Sequence, residues 1–155
     1  MKKLIFAGVL ASLSCVAGAQ GLDFKGKMKE GMYESSFKME IPGLPAGMGG
    51  MNNTVKRCTT KEDLEKGKDP FRDPKHGNDT SCELKNVKSS GNTMSYEMVC
   101  PKEGMTATTE LVFSDNNVKG VTKMKMGGER AQKMPPGMGD MTMNFESKYL
   151  GPCTK

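Results

Sequence analysis

The stretch from Cys82 to Cys100 constrains this chain more than any other, because spacing, turn chemistry and a covalent bond all agree there. Cys82-Glu83-Leu84-Lys85-Asn86-Val87-Lys88 reads as one strand, and Thr93-Met94-Ser95-Tyr96-Glu97-Met98-Val99-Cys100 as its return. In the second, Met94, Tyr96, Met98 and Cys100 share one face while Ser95, Glu97 and Val99 share the other, the period-2 pattern of a half-buried strand. With Ser90-Gly91-Asn92 as a three-residue loop, Leu84 falls opposite Met98, Asn86 opposite Tyr96 and Cys82 opposite Cys100. Opposed residues lie about 4.5–5.5 Å apart at Cα, a separation that a disulfide accepts without backbone movement. The alternative is two buried free thiols sharing a face.

Oxidation is favoured by the start of the chain. Met1-Lys2-Lys3 is a basic lead, residues 4–13 are apolar, and Ala17-Gly18-Ala19 offers small residues for cleavage. Residues 1–19 therefore read as a secretory signal, leaving residues 20–155 as a single disulfide-stapled β domain in the periplasm or the medium. Lipoprotein processing at Cys15 is the other option, with Ser12-Leu13-Ser14 a poor match to the residues it needs. No later stretch is apolar for long enough to cross a bilayer as a helix. Removing the signal lowers the formal charge from +5 to +3 by two lysines and leaves Cys58, Cys82, Cys100 and Cys153. Once Cys82 takes Cys100, Cys58 is left with Cys153. The absence of Trp and the paucity of aromatics imply a thin core that needs such staples.

The remaining elements follow from alternation and breakers. Residues 23–30 are lysine-rich without period and read as a leader. From Gly31, Tyr33, Ser35, Phe37, Met39 and Ile41 share one parity until Pro42. A Gly-Pro loop runs to Asn53, Thr54–Thr59 is a short strand, and Thr60-Lys61-Glu62-Asp63 resembles a capping box opening a short helix that stops at Gly67. Residues 68–81 read as irregular. Thr109, Leu111 and Phe113 alternate into Asp115-Asn116-Asn117; a type I′ turn at Asn116-Asn117 would set Phe113 opposite Gly120, Leu111 opposite Thr122 and Thr109 opposite Met124. Residues 127–140 read as a second Gly-Pro-Met loop, before a last strand carrying Met141, Met143, Phe145 and Tyr149 on one side. The expected fold is all-β, an antiparallel sheet of about seven short strands, sandwiched or curled barrel-like, with one short helix and two disulfides.

The Gly31-Met32-Tyr33-Glu34 strand start, the Met-Pro-Gly loop, the Cys58-Thr59-Thr60 step, the Cys82–Cys100 hairpin and the terminal Tyr149-Leu150-Gly151-Pro152-Cys153 together resemble the bacterial periplasmic family catalogued as domain of unknown function 3617. The likeness spans Gly31 to Cys153 and rests on motif order and cysteine spacing. Tyr33 stands where members of that family often carry Trp. What the resemblance implies is an exported single domain with paired cysteines; it brings no activity, ligand or catalytic residue.

The residues offer no catalytic constellation. His76 has neither a Gly-x-Ser-x-Gly elbow nor a free cysteine to activate, Glu62 and Asp63 suit a helix start, and no glycine cluster has the setting of a phosphate loop. Basic and aromatic residues are too sparse and uninterleaved for nucleic acid. No cofactor is called for, and a monomer is expected. Methionine is the unusual feature: Pro45-Ala46-Gly47-Met48-Gly49-Gly50-Met51 and Pro135-Pro136-Gly137-Met138-Gly139-Asp140-Met141 share one pattern. Two readings compete for Met48, Met51, Met138 and Met141. One is adaptable apolar contact with a ligand or an envelope protein; the alternative is capture of Cu(I) or another soft metal by thioethers. The leading expectation is a non-enzymatic binding or interaction domain of the cell envelope.

Overall fold

The computed structural model describes residues 22–42, 52–67, 71, 82–134 and 139–154. The signal expected over residues 1–19, His76 and three loop methionines, Met48, Met51 and Met138, lie outside these. The described chain builds one antiparallel sheet from β1 (Gly31–Glu40), β2 (Asn52–Thr59), β3 (Glu83–Ser90), β4 (Thr93–Cys100), β5 (Met105–Ser114), β6 (Asn117–Met126) and β7 (Asp140–Gly151). Its order is β2-β1-β7-β6-β5-β4-β3, so the last strand sits beside the first and β2 and β3 are the two edges. All seven strands belong to one antiparallel sheet, the expected alternative to a two-sheet sandwich. No pairing among the described residues joins the edges into a closed barrel.

Both disulfides are present, Cys82–Cys100 with Cα atoms 4.1 Å apart and Cys58–Cys153 with Cα atoms 5.6 Å apart. The inner hairpin reaches its register by a route different from the expected one. Gly91 and Asn92 alone make the turn, with Ser90 paired to Thr93 and positive φ at Gly91, as a type II′ hairpin requires at its first central position. That turn alone would displace the distal pairing by one residue. A bulge between Lys85 and Lys88 takes up the difference, with Asn86 at φ 53° and its amide donating to Glu97 Oε2 at 2.7 Å. Beyond the bulge Leu84 faces Met98 as the alternation demands, whereas Asn86 is absorbed into the bulge and has no partner in the ladder.

The β5–β6 register differs from expectation by two residues. Asp115 and Asn116 turn the chain, Ser114 pairs with Asn117, and Phe113, Leu111 and Thr109 face Val118, Gly120 and Thr122. Asn117 is held in the strand because its amide donates to Glu146 Oε1 on β7 at 2.7 Å, and Ser114 Oγ donates to its carbonyl at 3.0 Å. An even shift leaves every side chain on its expected face.

Cover for the inner face comes from the segment read as a leader. Leu22, Phe24 and Met28 are buried, Phe24 completely. The Phe24 ring meets Phe113 and Phe71 edge-on at 6.3 and 6.5 Å, and Phe71 reaches Phe145 at 4.8 Å. Lys27 Nζ donates to the Gly91 carbonyl, tying the segment to the hairpin turn. The helix α1 (Lys61–Glu65) adds Leu64, and its capping box is complete: Asp63 N–H donates to Thr60 Oγ1 at 3.1 Å and Thr60 N–H to Asp63 Oδ2 at 3.3 Å. A second helix, α2 (Gly128–Lys133), interrupts the stretch read as loop.

Gly120 lies between Leu111 on β5 and Phe145 on β7, and a Cβ there would stand 2.2 Å from the Phe145 ring and 2.9 Å from Leu111. The Phe145 ring thus occupies the space of the missing side chain. Gly120→Ala should destabilise the protein by about 1–3 kcal/mol as overpacking. In urea melts the loss should shrink when Phe145→Leu is added; equal losses in both backgrounds would show that the ring does not fill that space.

Tyr33 closes the other end of the face. Its hydroxyl donates to the Lys29 carbonyl at 3.0 Å and accepts from Lys29 N–H at 3.2 Å, while its ring meets Tyr149 edge-on at 5.4 Å. Burial pushes its phenol above the ordinary value; the Lys29 backbone offsets part of that, and Tyr149 adds to the rise. A raised folded value favours the neutral phenol, so this contribution is full at neutral pH and is lost as pH rises from about 10 through the folded value. Alkaline melts of Tyr33→Phe should therefore fall less steeply than wild type, and parallel slopes would remove the effect.

Candidate binding face

Because every strand alternates, register sorts the inner face into rows. Nearest the Tyr33 end run Ser35, Ser147, Val118 and Phe113, then Phe37, Phe145, Gly120, Leu111 and Met94. These are the rows under the Phe24 segment, and they are mostly buried. The next row changes character: Met39, Met143, Thr122, Thr109 and Tyr96. After it come Met141, Met124, Ala107, Met98 and Leu84, and then Met126, Met105 and Cys100, the last bonded to Cys82.

One end of the sheet face therefore carries seven methionines, Met39, Met98, Met105, Met124, Met126, Met141 and Met143, all half-buried. Three pairs are directly opposed across strands: Met39 with Met143, Met141 with Met124, and Met105 with Met126. No charged side chain interrupts these three rows among the described strands. The lysines of β6, at Lys119, Lys123 and Lys125, alternate to the other side and are exposed. Polar groups within the rows are satisfied locally, Thr109 and Thr122 sharing a buried hydrogen bond at 3.0 Å.

Of the methionines singled out by the loop repeat, only Met141 is described, at the start of β7 opposite Met124. Strand β1 ends at Glu40 opposite Thr142, two residues into β7, so the chain leaves and re-enters the sheet at adjacent points, beside the methionine rows. The parity of those methionines was readable in the sequence; the long-range pairing that brings β1 against β7 and β7 against β6 was not.

An open depression of about 640 Å³ lies on the opposite face among Lys38, Thr54, Glu110, Lys119, Asn144 and Glu146. Its charges largely answer one another. Lys119 stands 3.8 Å from Glu146, and the hydrogen bond from Asn117 holds that exposed carboxyl below the usual range, with Lys119 and Lys148 adding to the effect. This is solvated sheet surface with both signs of charge and no convergent set of groups. Among the described residues no three His, Cys, Asp or Glu side chains gather to hold a metal ion, and no helix is long and apolar enough to cross a membrane. Thioethers are a separate donor set.

A family model described as a protein of unknown function (DUF3617) matches residues 28–153, and no curated protein or solved structure matches.

Exposure divides the methionines into two populations, since Met94 and Met28 are 2% and 8% exposed while the seven of the end rows are accessible. Brief treatment with dilute peroxide should convert the latter to sulfoxides well before Met94, read by peptide mass mapping. Oxidation of Met94 at the same rate would contradict the packing described.

Proposed function

The chain belongs to the DUF3617 family of proteins of unknown function, and since membership carries no activity with it, we propose a non-catalytic binding domain exported to the bacterial cell envelope. Its working surface is the methionine-lined end of the inner sheet face, and its ligand is an apolar molecule. One observation carries this reading: seven accessible methionines occupy three adjacent rows from which charge is excluded, beside a core that already uses Met94 and Met28 for packing. Unbranched, polarizable side chains with three rotatable bonds conform to varied apolar shapes, and a rigid sheet fixes where they start. Export is supported by the basic and apolar start of the chain and by its paired cysteines. Soft-metal binding is the second reading, favoured by the direct opposition of Met141 and Met124.

The fluorescent fatty acid cis-parinaric acid tests the main reading. Its emission should rise on binding and saturate, and Met124→Lys with Met143→Lys should weaken the binding by about tenfold or more by placing two charges in the rows. Circular dichroism on the same samples separates lost binding from lost fold. No saturable signal with wild type, or equal binding by the folded variant, would reject the face as an apolar site.

A further inference from the structure

We infer that the same rows form a thioether site for a soft monovalent cation, Cu(I) or its analogue Ag(I), centred on Met124 and Met141 with Met126 and Met143 beside them. The inference rests on this face being a binding surface, as proposed, and names a second class of ligand for it.

The geometry comes from strand pairing. Met124 and Met141 are directly opposed on β6 and β7, so their Cα atoms lie about 4.5–5.5 Å apart. Met126 follows Met124 by two residues on β6, and Met143 follows Met141 by two on β7, each displaced roughly 6.7 Å along its strand on the same face. Because the strands are antiparallel, Met126 and Met143 lie on opposite sides of the Met124–Met141 pair, and the ladder fixes the four Cβ positions along an elongated diagonal. Rotation about three bonds per side chain lets the Met124 and Met141 sulfurs meet above the sheet, with Met126 approaching from one side or Met143 from the other.

The donor set decides the ion. Thioether sulfur is neutral and soft, and it selects Cu(I) over the hard divalent cations, which require oxygen. The rows supply no carboxylate, so Ca²⁺ and Mg²⁺ have no ligands there. The described cysteines at their end, Cys82 and Cys100, are bonded to each other, which leaves the methionines as the sulfur donors. Partial exposure gives an ion a route in, which Met94 at 2% exposure lacks.

The oxidised protein is titrated with Cu(I) without oxygen and against bicinchoninate, and separately with Ag(I) while the methionine methyl groups are followed by carbon–proton NMR. Wild type should retain about one Cu(I) per chain, and Ag(I) should move the Met124 and Met141 methyls first. Met124→Leu with Met141→Leu conserves volume and should lose affinity by about tenfold or more. A variant with Leu at Met48, Met51 and Met138 should keep it. The site is overturned if wild type yields all its Cu(I) to the competitor, if the sheet variant binds as wild type does, if the loop variant alone abolishes retention, or if Ag(I) leaves the Met124 and Met141 methyls unmoved. The NMR arm needs no substitution, so a variant that fails to fold does not protect the inference. Failure with parinaric acid binding intact removes the metal and leaves the apolar reading; failure of both removes the face.

Discussion

A single sheet has two faces, and the alternation in these strands gives one of them to the interior, so the structure depends on finding cover for that face. Phe24 supplies it. Its ring is completely buried, touches Phe113 on β5 and, through Phe71, connects to Phe145 on β7. The cluster around it draws on β1, β4, β5, β6 and β7 together with Leu22, Met28 and Leu64. Burying a Phe or Leu side chain stabilises by roughly 1.5–3 kcal/mol, so this short segment replaces much of what a second sheet would contribute. The backbone cooperates by turning at Phe24, whose carbonyl accepts from Lys27 and Met28 N–H.

This cover is the part of the fold least legible in the sequence. Leu22, Phe24 and Met28 have neither helical nor strand spacing and stand among three lysines, so no periodicity marks them as core. Their burial is a tertiary fact, settled by the shape of a sheet assembled later in the chain. Strands, faces and both disulfides were legible because a period of two is a local property and four cysteines pair in few ways. Registers were less so. At β3–β4 the distal pairing is as expected although the turn is a residue shorter, because Asn86 takes a left-handed conformation that Asn tolerates better than most residues. At β5–β6 the pairing slipped by two because Asn117, which has the chemistry of a turn residue, is held in the strand by Glu146 on a distant strand.

The candidate face shows the same division between local and long-range information. A repeated Pro-x-Gly-Met-Gly-x-Met pattern draws attention to loops, since repeats are visible in one dimension. The methionines that the topology collects come from five strands, β1, β4, β5, β6 and β7, and no window of sequence contains more than a few of them. Only the long-range pairing of β7, with β1 on one side and β6 on the other, brings Met39 against Met143 and Met143 into the rows of β6.

The disulfides also bear on why an apolar surface can be left uncommitted. On the chain-entropy model the Cys82–Cys100 bond, closing a separation of 18 residues, contributes about 3 kcal/mol, and Cys58–Cys153, at a separation of 95, about 4.7 kcal/mol. Together these rival the whole net stability of an ordinary domain, about 5–15 kcal/mol. A reduced chain of this composition would need more of its apolar surface in the core. With two covalent constraints limiting the unfolded state, the Phe24 cluster suffices for one end of the face, and the methionines of the other end stay partly accessible. Their placement follows the staples: one bond anchors the β4 side of those rows at Cys100, and the other ties the end of β2, across β1, to the segment after β7 at the opposite end of the sheet. Between the two, the rows are held in register by backbone ladders alone.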